Sequence, residues 1–354
     1  MFQTSLLRAV LFLLLIFLVV AGLYLAKPFL VPLCFGALLA MFFLPLSRWF
    51  ERKKIPKGLA ILFCILLFLC IITIIILVIS WQVTDLTREV SDIENKVRQM
   101  VAEIEQFITN RFEIPVKQQE KLWQQQAQNS GANSILSNIG SILVGLLVDF
   151  ILCLVYIFLF MYYRARIKKF ILLLISSHQK QNAQQVIHDI QKVTQQYLTG
   201  IGWMILCLWV MYSIGFSIVG VKYAVFFAIL CGLLEIVPFI GNFTGNLLAI
   251  LMVIIQGGGA GMVLAVVVTY AIVQFLQTYL LEPLVVGAGV NINPLFTIII
   301  LVLGQLIWGI PGMIVAIPLL GVVKIICDHI EPLKLYGFLI GLDKKKKRVL
   351  IRNK

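Results

Sequence analysis

The chain has 354 residues, 61% of them hydrophobic and 13% charged, against roughly 45–50% and about 25% in an average soluble domain. No globular interior can hide that much apolar side chain, so lipid must solvate most of the surface, and a soluble enzyme is excluded. The net charge of +13 does not call for nucleic acid as a partner, because the Lys and Arg excess sits beside apolar segments, as cytoplasmic loops require.

In chain order, stretches of about 20 apolar residues mark candidate spans: Ala9–Ala26, Pro28–Ser47, Gly58–Thr84 and Ile139–Tyr163, the last interrupted by Asp149 alone. The first follows a single Arg8 and has no small-residue cleavage signature, so it reads as a retained helix. Between the second and third lies SRWFERKKIPK, whose Arg48, Arg52, Lys53, Lys54 and Lys57 place that short loop in the cytoplasm, and the N-terminus with it. Residues 1–81 thus form a unit of three transmembrane helices.

Residues 82–138 then fall outside, and their eight acidic against six basic side chains agree with that side. Within them Val83, Leu86, Val90, Ile93, Val97, Met100, Ile104 and Phe107 follow a 3-4-3-4-3-4-3 spacing, the seam of a coiled coil ending before Pro115. So narrow a seam needs a partner. Either the chain's own Lys117–Gln128 helix or a second copy supplies it, and the second reading predicts a homo-oligomer.

The span at 139–163 leads into 164–200, where Arg164, Arg166, Lys168, Lys169, Lys180 and Lys192 face one acid, Asp189, so this segment is cytoplasmic. Val186, Ile190, Val193 and Tyr197 form a helical stripe in Ala183–Leu198, expected to lie along the membrane or to cap the core.

From Ile201 the pattern changes. One ordinary span, Ile201–Val221, is followed by the 59 residues Tyr223–Leu281, whose only charge is Glu235. Pro238, Gly241, Asn242, Thr244, Gly245 and Asn246 interrupt this run, so Tyr223–Gln256 reads as a hairpin broken at Pro238–Asn246. Met262–Leu281 follows, then Glu282-Pro283 and a loop with Gly287, Gly289, Asn291, Asn293 and Pro294. The next charge-free run is broken at Gly309-Ile310-Pro311-Gly312 and again at Pro318. Residues 201–333 therefore contain two span-plus-hairpin units, as in transporters with paired interrupted segments. If each hairpin returns to its own side, the two tips approach one another near the midplane. The basic tail, 334–354, returns to the cytoplasm. The fold class is all-α: a polytopic integral membrane protein with about 5–8 transmembrane helices, including two interrupted or re-entrant hairpins.

Broken helices leave backbone groups unpaired, which lipid does not tolerate unless they face protein or a wet cavity. The candidate path for a small molecule or ion is therefore Glu235, Pro238, Gly241, Asn242, Asn246, Glu282, Pro283, Gln305, Gly309, Pro311 and Gly312. Glu235 is the sharpest of these, because an acidic group at a helix centre costs about 2.5–3.5 kcal/mol on insertion scales. It either exchanges a proton or a cation, or it is a structural carboxyl. Glu282 reads as a cap or loop anchor, and Asp149 as structural or interfacial.

The seven Cys lie in or beside apolar stretches with no C-x-x-C pair, so neither a disulfide framework nor zinc is indicated. His178, His188 and His329 have no ligand spacing and read as solvated surface. Neither a phosphate-binding G-x-x-x-x-G-K-[ST] loop nor G-x-S-x-G occurs, so no cofactor and no enzymatic activity are expected, and a gradient must supply the energy.

The segments GLLEIVPFIGNFTGNLLAI and YLLEPLVVGAGVNINPLFTIIILVLGQLIWGIPGMIVAIPLLGVVKII resemble the autoinducer-2 exporter family of bacterial permeases over essentially the whole chain. The matching positions are Pro238 and Gly241; Glu282, Pro283, Gly287 and Pro294; and Gly309, Gly312, Ala316 and Pro318. Where the family often continues Pro-x-x-Gly with a Gly-Pro-type element, this chain has Asn242-Phe243-Thr244. The resemblance implies a multi-pass transporter of the bacterial cytoplasmic membrane, with autoinducer-2 export proposed for some members and sodium–proton antiport for others. A non-transporting scaffold assembled through the outer heptads is the rival of another class.

Overall fold

The computed structural model describes residues 2–87, 132–176, 179–237, 240–286 and 292–342. In chain order the helices are α1 (Phe2–Leu25), α2 (Lys27–Arg52), α3 (Lys57–Thr87), α4 (Ala132–Leu173), α5 (Lys180–Val219), α6 (Ala224–Leu234), α7 (Ile240–Ile255), α8 (Ala260–Leu276), α9 (Pro294–Trp308), α10 (Ile310–His329) and α11 (Lys334–Ile340). A π-helix, Gln277–Val286, continues α8 without a break, and a short 3-10 turn, Glu331–Leu333, joins α10 to α11. The architecture is all-α and polytopic. Six helices among the described residues are long and apolar enough to cross a bilayer: Lys27–Arg52, Lys57–Trp81, Val144–Leu173, Lys180–Val219, Ala260–Glu282 and Ile310–His329.

Of the apolar window in Lys57–Trp81 only 11% is buried within the chain, so the solvent of the remaining faces is lipid or another polypeptide. The 42 residues of α4 and 40 of α5 make rods of about 60 Å, twice the hydrocarbon thickness, so each carries a polar end out of the membrane. By contrast, α6 with 11 residues, α7 with 16 and α9 with 15 reach about 16–24 Å, less than a full crossing.

Two packed units share the chain. In the first, α2, α3 and α4 enclose Ala40, Phe43, Ile61, Cys64, Ile157 and Met161. At their basic end Glu51 pairs with Arg164 and accepts a bond from Ser47 Oγ at 3.0 Å, while Lys57 Nζ donates to the Tyr162 carbonyl. In the second, α5 to α8 surround Leu208, Tyr212, Phe216, Ala228, Val253 and Val266. Gln256 closes the base of this unit: its Oε1 accepts from Lys222 N at 2.8 Å, and its Nε2 donates to the Gly220 carbonyl at 3.4 Å. Gly220 permits this turn by its left-handed φ of 84°.

The α9–α10 hairpin leans on both units. Asn293 caps α9 by accepting from Leu295 N at 3.0 Å, with Pro294 at the first turn, a pairing suited to a helix start. Its turn is a single residue, Gly309, at φ 71° and ψ −149°, a conformation open to little but glycine. Trp308 and Val315 pack against Val31 and Leu38 of α2, and Trp308 Nε1 donates to the Leu23 carbonyl of α1 at 2.9 Å. The tip therefore sits at the α1–α2 turn, an end of α2, and does not face the first hairpin at mid-depth. What meets the first hairpin is the body of the second: Val237 packs against Leu301, Met313 and Ala316.

Several local expectations change. Ala183–Leu198 is no separate surface helix; α5 runs through it into the span, burying Thr194, Tyr197 and Gly200, and Gln195 Nε2 donates to the Met41 carbonyl of α2 at 2.9 Å. Pro318 does not break α10; a proline costs one backbone bond, which neighbouring helices in a membrane protein can make good. Glu282-Pro283 opens no loop but lies in the π-helix. His329 is half-buried rather than solvated, with Nε2 3.5 Å from Asp189 and Nδ1 2.9 Å from the Ile325 carbonyl; His188 is exposed. Val83 and Leu86 stand on the last turns of α3. Val90, Ile93, Val97, Met100, Ile104 and Phe107, the Lys117–Gln128 helix, His178, Pro238, Gly287 and the basic tail from Asp343 lie outside the described residues.

Candidate functional site

The first hairpin breaks earlier than its Pro/Gly/Asn run suggests. Helix α6 ends at Leu234, turns follow at Glu235 and Ile236, and α7 is already helical from Ile240. Gly241, Asn242, Thr244, Gly245 and Asn246 are therefore helix, not loop. The glycines there allow close approach: a Cβ on Gly245 would lie 2.9 Å from Cys231 Sγ and 3.1 Å from its Cα, and one on Gly241 would strike the Leu234 carbonyl.

This packing holds Glu235 at the open C-terminal end of α6. Gln277, only 2% exposed, donates from Nε2 to Glu235 Oε1 at 2.8 Å. Gln277 is the first residue of the π-helix. Such turns are rare and concentrate at functional sites; the segment includes Pro283, a residue with no backbone N–H to donate. Glu282 lies further along the same segment and is exposed. Tyr212 of α5 and Tyr270 of α8 stack with centroids 6.5 Å apart.

Two buried amide oxygens in this core, Gln277 Oε1 and Asn246 Oδ1, have no hydrogen-bond partner. An orphan of this kind costs about 1–3 kcal/mol, and natural structures keep few of them. The Glu235 carboxylate and Gln277 Oε1 belong to one bonded pair, and these oxygens could accept from a water, a protonated group or a cation. The described residues hold no cluster of three or more His, Cys, Asp or Glu that could bind a metal ion.

Of the sequence-derived candidates, the structure joins Glu235 to Gln277 and places Asn246 on α7. The backbone of Pro283 is in the π-helix, and the side chains of Asn242 and Pro283 are outside the description. Gly309, Pro311 and Gly312 shape the second hairpin, with Gly304 and Gly312 in backbone contact. Gln305 points away, exposed on α9. Asp149 is half-buried on α4, in the other unit. Gln277 was not among the candidates, although an uncharged amide inside VVVTYAIVQFLQTYLL is the kind of polar intruder that warrants notice.

Comparison with known proteins agrees with this architecture. The model of the AI-2E family transporter matches residues 11–331. Two relatives from Bacillus subtilis (strain 168) are YueF, 26% identical over 88% of this chain and 89% of its own length, and YrrI, 24% identical over 86% and 87%. YhhT of Escherichia coli (strain K12) is 20% identical over 94% and 93%. All three are named as transport proteins, with no cargo in the name.

Proposed function

This chain belongs to the AI-2E family of membrane transporters, and we propose that it is a secondary transporter whose path runs past Glu235, Gln277 and Asn246. The observation that carries the reading is the Gln277–Glu235 bond at 2.8 Å, with the buried Oε1 of the same Gln277 left without a partner. A purely structural carboxyl would be enclosed by donors; among the described residues the Glu235 carboxylate accepts one hydrogen bond, from Gln277, and it sits at the C-terminal end of α6.

Export of an autoinducer-2-like furanone is one cargo that family membership suggests. Cation/proton antiport is the second, favoured by the composition of the site: oxygens and one carboxylate suit a small cation or a proton. The remaining candidates, Pro238, Gly241, Asn242, Glu282, Pro283, Gly309, Pro311 and Gly312, act in this reading as the hinges and close contacts that let the two hairpins shift. The protein resides in the bacterial cytoplasmic membrane with both termini inside, as the Lys/Arg-rich loops favour, and it self-associates through the outer heptads.

Reconstitution into vesicles distinguishes the cargoes. A sodium pulse against an entrapped pH dye reads antiport, and efflux of a preloaded furanone reads export. Movement of either, abolished by Glu235→Gln, is the expected result; vesicles that behave as empty ones refute transport.

A further inference from the structure

A second built feature lies far along the chain from Glu235, at the basic end of the first unit. There α4 finishes Arg164-Ala165-Arg166-Ile167-Lys168-Lys169, next to the first turns of α5. Between α2, α4 and α5 is a cavity of about 250 Å3, walled by apolar groups including Ala37, Met41, Phe160 and Ile190, with Arg164 and Lys168 as its charged side. An adjoining hollow of about 300 Å3 is bordered by Lys168, Lys169 and Lys180 together with Leu172 and Leu173. Lys168 belongs to both.

Arg164 adds an independent sign. One of its amino groups pairs with Glu51, but the other, Nη1, is buried and has no hydrogen-bond partner. The Glu51 carboxylate beside it also accepts from Ser47 Oγ. A buried cationic N–H without an acceptor is costly, and the carboxylate of Glu51 offsets one positive charge where Arg164, Lys168, Lys169 and Lys180 bring four. Apolar walls and a cationic rim in one recess match an amphiphile with a negative head.

The geometry points to a binding site for one anionic phospholipid, its phosphate held by Arg164, Lys168, Lys169 and Lys180 and the first part of an acyl chain in the α2–α4–α5 cavity. Basic clusters beside membrane spans attract such head groups, and the chain is a membrane protein, so the ligand is at hand. A soluble anion would leave the apolar cavity unfilled. A second copy of this chain would bring like charge against like.

The test uses the full chain purified in neutral detergent and followed by native mass spectrometry during titration with phosphatidylglycerol or phosphatidylcholine. One phosphatidylglycerol per chain is expected, replaced neither by phosphatidylcholine nor by inorganic phosphate. The exposed-site double variant Lys168→Gln/Lys169→Gln should bind about 30-fold more weakly, each lysine near an anionic head being worth about fivefold. Ala37→Leu, which narrows the cavity and touches no charge, should weaken binding too. Equal binding of the two lipids, displacement by phosphate alone, wild-type affinity in the double variant, or a change of oligomer mass in place of lipid loss would each overturn the assignment.

Discussion

Gly304→Ala is a direct perturbation of the hairpin that braces the candidate path. A Cβ on Gly304 would lie 2.6 Å from the Gly312 carbonyl oxygen, 2.8 Å from its carbon and 3.2 Å from Met313 N. All three are backbone atoms, so no side chain can rotate away. To reach the 3.4 Å of ordinary contact, α9 and α10 must part by about 0.8 Å, a strain in the range of about 1–3 kcal/mol for overpacking. At about 2–4 °C per kcal/mol for chains of roughly 150–250 residues, melting in detergent should fall by several degrees. The assay is thermal unfolding of purified protein by intrinsic fluorescence, with Gly202→Ala as control, because a Cβ there meets nothing within 4 Å. Parting the arms also displaces Leu301 and Met313 from Val237, so transport should fall with stability. If Gly304→Ala melts with Gly202→Ala and transports normally, the close hairpin contact has no energetic weight.

Two further outcomes follow from the same geometry, and a third from the heptad spacing of the sequence and the proposed self-association. Gly309→Ala forces a side chain into a backbone region that costs about 1–3 kcal/mol, and should lower the melting temperature comparably in the same assay. Trp308→Phe removes the donor to the Leu23 carbonyl and should cost about 1 kcal/mol, seen as faster protease cleavage near Lys27 if α1 loosens. Val90→Lys with Val97→Lys places charge on the heptad seam and should reduce the oligomer to a smaller species in light scattering; an unchanged mass removes the seam from assembly.

The spans of the first unit were legible because length and hydropathy alone define a bilayer crossing, and α2, α3 and α4 satisfy both. Gly309 was legible too, since Gly-Ile-Pro-Gly both ends one helix and starts the next. Pro318 misled: a proline in a soluble helix breaks it, but α10 is packed on other helices and continues. The Gly241–Asn246 run misled in the other direction, because Gly241 and Gly245 serve close contact with Leu234 and Cys231 and not a turn. The stripe of Ala183–Leu198 gave the helix but not its direction; nothing between Leu198 and Ile201 stops α5, and Gly200 is buried where it crosses other elements. Gln277 stayed hidden because its importance comes from a partner 42 positions away, which periodicity cannot reveal.

Transport past Glu235 is read out by flux. Wild-type and Glu235→Gln protein, matched for amount and monodispersity, are reconstituted into vesicles and compared for movement of the cargo that the wild type carries. The variant keeps the shape and the capacity to hydrogen-bond Gln277 but cannot hold a charge. Flux reduced to that of empty vesicles, with unchanged melting temperature, is the predicted result; wild-type flux in the variant would contradict the account.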